Sequence, residues 1–115
     1  MQNKTEFEIL SIHQYYSYTC FVCNEASTQL AHIIGATNLN RKLYGKRIID
    51  HELNVLPACS LKHNDMIDIG RNSVIAKQIV SIIDTLDDLS DKREAINSLV
   101  IGNIKAHQSK SDPMA

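Results

Sequence analysis

The chain has 115 residues, 43% apolar and 22% charged, with three cysteines and a net charge of −1. This is material for one small globular domain spanning residues 1–115 and too little for two, and a bound metal would help so modest a core. No run approaches the roughly 20 apolar residues of a membrane span, and the opening MQNKTEFE lacks the charged-then-apolar order of a signal peptide, so a soluble cytoplasmic protein is expected.

Residues 5–18 carry mixed periodicity: Phe7, Leu10 and Gln14 follow helical spacing imperfectly, and the tyrosines would also suit a strand. The segment is read as a helix, with His13, Tyr15 and Tyr16 as packing residues. Asn24 to Ser27 reads as a turn. Residues 28–34 suit a strand ended by Gly35, residues 36–45 a polar loop, and residues 46–55 a returning strand. Pro57 ends that strand, Ser60 is a helix N-cap, and residues 61–69 form a short helix closed by Gly70. The expected fold class is therefore α+β.

The cysteines lie in two groups, Cys20-x2-Cys23 and Cys59-x3-His63. Cys-x2-Cys is the spacing at which a knuckle turn brings two thiolates onto one tetrahedral ion, and residues four apart on a helix share one face. Cys20, Cys23, Cys59 and His63 thus make a complete ligand set for a structural zinc. An odd thiol count fits a mixed Cys/His site in a reducing compartment better than a disulfide framework.

Between these groups, QLAHIIG, YGKRIIDHELN, LPAC and KHND resemble the HNH family of His-Me finger (ββα-metal) nucleases, in a zinc-braced variant whose last motif residue is Asn; the resemblance covers residues 20–65. It implies a small ββα finger over residues 20–70, with His32 as general base, Asn54 holding its imidazole and Asn64 as ligand of a catalytic Mg2+ or Mn2+. Two departures stand out. Most members carry Asp or His just before the base, where this chain has Ala31. The commonest spacing from Asn54 would end the motif on His63, but that leaves zinc three ligands, so the register ending on Asn64 is preferred.

The residue types suit the reaction that the resemblance implies. A neutral imidazole can deprotonate water near neutral pH, a cation can stabilise the scissile phosphate, and an Asn oxygen can accept from the ring N–H and fix its tautomer. Adjacent helical residues point about 100° apart, so His63 can face zinc while Asn64 faces substrate. If residues 46–55 are a regular strand, His51 faces away from Asn54 and serves packing or a phosphate contact, whereas Asp50 shares the Asn54 face and could supply the missing carboxylate.

Asn72 or Ser73 caps a helix running to about residue 89, with Ile75, Ile79, Ile82, Ile83 and Leu86 on one stripe. A further helix from Asp91, with a capping pattern to Glu94, has Ile96, Leu99, Val100 and Ile104 on its apolar side. Joined at Leu89 and Ser90, they read as a helical hairpin over residues 72–107 that either covers the finger or pairs two chains into a homodimer. Residues 108–115 read as a frayed tail.

From Leu39 to Lys77, seven Lys or Arg face four Asp or Glu. Arg41, Lys42, Lys46 and Arg47 are the candidate DNA contacts in this basic middle. The expected function is a metal-dependent DNA endonuclease, such as a restriction or phage-associated enzyme. The alternative is a catalytically inactive zinc-braced module that binds DNA or another protein.

Overall fold

The computed structural model describes residues 6–111, with side chains from residue 10 to residue 106. It is α+β, with one two-stranded antiparallel sheet, and divides into two compact units, one ending at Gly70 and the other starting at Arg71. No helix among the described residues is long and apolar enough to cross a membrane.

The first unit opens with α1 (Glu6–Tyr15), in agreement with the helical reading of this segment. The chain leaves α1 through Ser17 and Tyr18, both left-handed at φ 57° and 59°, and Thr19 then bridges Ala26 across the turn that holds the first two cysteines. Strand β1 (Gln29–His32) pairs antiparallel with β2 (Val55–Ala58), Leu30 opposite Pro57 and His32 opposite Val55. Helix α4 (Leu61–Ile67) packs against both strands. The Ser60 hydroxyl caps it by accepting from the His63 N–H at 3.3 Å, as its sequence position predicts.

The connection between the strands departs from expectation. The polar loop over residues 36–45 contains α2 (Asn38–Tyr44), seeded by the Thr37 hydroxyl, which accepts from the Asn40 N–H at 3.1 Å. The returning strand over residues 46–55 is instead α3 (Lys46–Ile49) followed by a 3-10 turn over Glu52–Asn54. Ile48 and Ile49 are both buried, which neighbours on a helical turn can achieve and neighbours on a one-sided strand cannot. Asp50 therefore has no strand face to share with Asn54. His51 caps the 3-10 turn, its Nδ1 accepting from the Leu53 N–H at 3.1 Å.

Pro57 sits inside β2 rather than ending it. Its carbonyl accepts from the Phe21 N–H at 2.9 Å, so its backbone faces away from β1 and the missing N–H removes no bond from the ladder. Helix α4 ends two residues earlier than expected, because Ile69 leaves it to donate its N–H to the Ile33 carbonyl at 3.0 Å. Ile33, Ile34, Leu56 and Ile67 are each at most 1% exposed and anchor the core of this unit.

The second unit pairs α5 (Ser73–Thr85) with α6 (Leu89–Ser111). The Asn72 side chain caps α5 by accepting from the Ile75 N–H at 3.1 Å. Helix α5 stops at Thr85, short of residue 89, and the cap of α6 is Asp88 rather than Asp91: its Oδ1 accepts from the Asp91 N–H at 3.0 Å. Ile79, Ile83, Ile96 and Val100 are buried as the stripes predict, while Leu86 is exposed. Helix α6 extends through Ser111, into the segment expected to fray; residues 112–115 of that segment lie outside the described residues.

Candidate metal centre and the adjoining ribbon

The Cys20–Cys23 knuckle is a tight hairpin. Cys20 donates its N–H to the Glu25 carbonyl at 2.6 Å, and its own carbonyl accepts from the Asn24 N–H at 3.0 Å. Asn24 turns the chain at φ 65°, a left-handed conformation that Asn tolerates better than most residues. The Val22 N–H lies 3.4 Å from the Cys20 sulfur and donates to it.

Cys59 at the end of β2 and His63 on α4 complete the cluster. Cys20 Sγ lies 3.6 Å from His63 Nδ1, Cys59 Sγ 3.2 Å from the same nitrogen, and Cys23 Sγ 3.6 Å from Cys59 Sγ. All four ligand atoms fall within 4.8 Å of one another. Zinc–sulfur bonds of about 2.3 Å span tetrahedron edges of about 3.8 Å, so the set has the size and the N/S chemistry to hold a zinc ion. The register that reserves His63 for this cluster and leaves Asn64 outside it matches the geometry. The three cysteines form no disulfide.

The thiols are driven apart electrostatically. Burial raises the Cys20 thiol, but the backbone amides of Cys23, Val22 and Cys59 and the His63 ring outweigh it and bring it down to about 7. At Cys23 the Glu25 amide lowers the thiol, while desolvation and the sulfurs of Cys59 and Cys20 together push it up to about 11. Thiolates this close repel one another, and a cation at their centre would reverse the upward shift.

The expected catalytic residues are not gathered in the same way. Asn54 is fully buried: its Oδ1 accepts from the Ile34 N–H at 2.8 Å, and its Nδ2 donates to the carbonyls of Ile34 and Ile49, each at 3.0 Å. Its amide thus holds backbone rather than the His32 imidazole, a correction that follows from its place at the end of a 3-10 turn beneath the Ile34 peptide. Asn64 donates from Nδ2 to Gln29 Oε1 at 2.8 Å. The strand register places Gln29 and Ala31 on one face of β1 and Leu30 and His32 on the other, so the half-buried His32 is set on the face opposite Gln29, the partner of Asn64.

For a resident magnesium or manganese ion the donor set does not fit. Asn64 supplies one amide oxygen and Ala31 nothing, and among the described residues the Cys/His quartet is the one group of three or more His, Cys, Asp or Glu able to hold a metal. Of the candidate DNA contacts, Arg41 and Lys42 lie on α2 and Lys46 and Arg47 on α3; Arg41 is half-buried, its Nη1 donating to the Ala36 carbonyl at 3.1 Å, and the other three are exposed.

The sequence reading missed Gln29 and helix α2. The second had a signal in Thr37-x-x-Asn40 together with Leu39 and Leu43 at helical spacing; the first had none, since its role depends on the docking of α4. No family model, curated protein or solved structure matches the chain, so what the site does rests on its own geometry.

Proposed function

We propose that the chain is a zinc-braced HNH-type finger that acts on DNA, with His32 as general base in phosphodiester hydrolysis. The observation that carries this reading is the arrangement of β1, β2 and α4 around the Cys/His cluster, with His32 ending the first strand and Asn54 holding the backbone that follows it. In this proposal zinc binds Cys20, Cys23, Cys59 and His63 and fixes the knuckle, β2 and α4 to one another. The imidazole of His32 takes the proton from the attacking water. Asn54 acts on the chemistry indirectly, as a positioning residue. Free cysteines and zinc thiolates suit a reducing compartment such as the cytoplasm. Exposed Leu89 and Ile101 on α6 support pairing of two chains through the C-terminal helices, which would present two sites to the two strands.

A second reading, a module that binds DNA without cutting it, is favoured by Ala31 and by the lack, among the described residues, of any group of three or more His, Cys, Asp or Glu beyond the Cys/His quartet that could hold a metal. Plasmid incubated with zinc-loaded protein and either magnesium or manganese separates the two. Nicked or linear product that disappears in His32→Ala supports hydrolysis; intact plasmid with a salt-dependent mobility shift supports binding alone.

A further inference from the structure

Helix α2 is held by polar anchors and contributes nothing to the core. Thr37 caps its start, the Asn40 side chain donates to the Gly35 carbonyl at 2.9 Å, and Gly45 donates its N–H to the Arg41 carbonyl at 2.9 Å. None of its residues is buried, and Leu39 and Leu43 are 58% and 61% exposed. A helix of two turns is marginal in water, so those anchors maintain a helix whose apolar side stays largely exposed among the described residues. Leu39 and Leu43, four apart, share one face. Cations follow closely: residues 36–49 contain Arg41, Lys42, Lys46 and Arg47 and no Asp or Glu.

An apolar pair on a stretch of chain that carries four cations and no acid complements a polyanion that offers apolar surface between its charges. Nucleic-acid duplexes do so, with sugars and base edges lying between two rows of phosphates. An anionic bilayer would ask more of the apolar face, since stable surface helices bury broader apolar stripes than two leucines. Resting on the DNA reading above, we propose that α2 is a groove-docking element: Leu39 and Leu43 pack on sugars and base edges of a duplex while Lys42, Lys46 and Arg47 meet the flanking phosphates.

The test is the affinity of zinc-loaded protein for a short fluorescent DNA duplex across a salt series, for the parent, the Leu39→Ser/Leu43→Ser double variant and the Lys42→Ala/Lys46→Ala double variant. Circular dichroism and zinc content check that both variants stay folded, which their exposure favours. The leucine variant should bind about tenfold more weakly at every salt concentration with an unchanged salt slope. The lysine variant should lose about 1.8 from the slope of log K against log salt, from about 0.9 per phosphate contact. Parental affinity in the leucine variant overturns the proposal, as does a parent that fails to bind the duplex. Leucine-dependent binding to phosphatidylserine vesicles with unchanged DNA binding also overturns it and assigns α2 to a membrane surface. DNA cleavage that persists with parental affinity in the leucine variant removes the docking role and leaves the nuclease reading standing; duplex binding by a parent that cuts nothing does the reverse.

Discussion

Asn54 closes on the Ile34 peptide from both sides, accepting its N–H at 2.8 Å and donating to its carbonyl at 3.0 Å. A single side chain thereby replaces one rung of a β-ladder just beyond the last residue of β1, and its second N–H reaches back to the Ile49 carbonyl. Asn54→Ala would leave these buried backbone groups without partners, at about 1–3 kcal/mol for each group that water cannot reach. The expected loss is about 3 kcal/mol or more by chemical denaturation of the zinc-loaded protein. Asn54→Asp should be at least as damaging, because a carboxylate cannot donate to either carbonyl.

The metal centre makes a separate prediction. Purified protein should contain about one zinc per chain, and X-ray absorption should show three sulfurs and one nitrogen around it. Strong chelation should unfold the first unit, and Cys23→Ser should do the same without chelator. A well-folded, zinc-free protein would remove the metal from the account.

On the hydrolytic proposal, His32→Ala should lower cleavage by about 10² to 10⁴, the usual contribution of a general base. Zinc content and melting temperature should stay near the parental values, because the side chain is only half-buried. Loss of cleavage accompanied by unfolding would point to a structural role instead.

His13 shares a 2.7 Å hydrogen bond with the Ser27 hydroxyl, and burial lowers its pKa below the ordinary histidine value. The folded protein thus binds a proton at this site less readily than the unfolded chain. The stabilising contribution is present above about pH 6.5, the unfolded value, and is lost as pH falls through the depressed folded value. Denaturation midpoints measured between pH 5 and pH 8 should fall less steeply toward acid in His13→Gln than in the parent.

Ser17 is exposed and left-handed at φ 57°, a conformation costing L residues about 1–2 kcal/mol. Ser17→Gly should relieve that strain and, after the larger entropy loss of glycine on folding, raise stability by up to about 1 kcal/mol. An unchanged or lower melting temperature would mean that the serine side chain compensates for its own backbone.

The Cys/His cluster was legible because its spacing is itself chemistry: a knuckle and a helical turn determine which sulfurs and which imidazole can meet. The helices of the second unit were legible from their stripes, although Asp88 proved to be the cap where Asp91 had been expected. The segment between the strands was not. Ile48 and Ile49 suit a strand by propensity, but their burial side by side is a tertiary outcome that propensity does not encode. Asn54 was expected to hold the His32 imidazole, yet its partners are backbone atoms brought near by that same unforeseen helical connection. Gln29 met Asn64 only because α4 packs across β1, a relationship between residues 35 positions apart.

The Phe21–Pro57 contact bears on how the protein avoids recruiting other copies of itself. A two-stranded ribbon normally offers an open rim to any passing extended chain, and such rims seed aggregation. Along the outer rim of β2, Pro57 offers no donor and its carbonyl is already taken by Phe21. The knuckle therefore works as a lid on a sticky edge, and the proline keeps that edge a poor template even when the lid lifts.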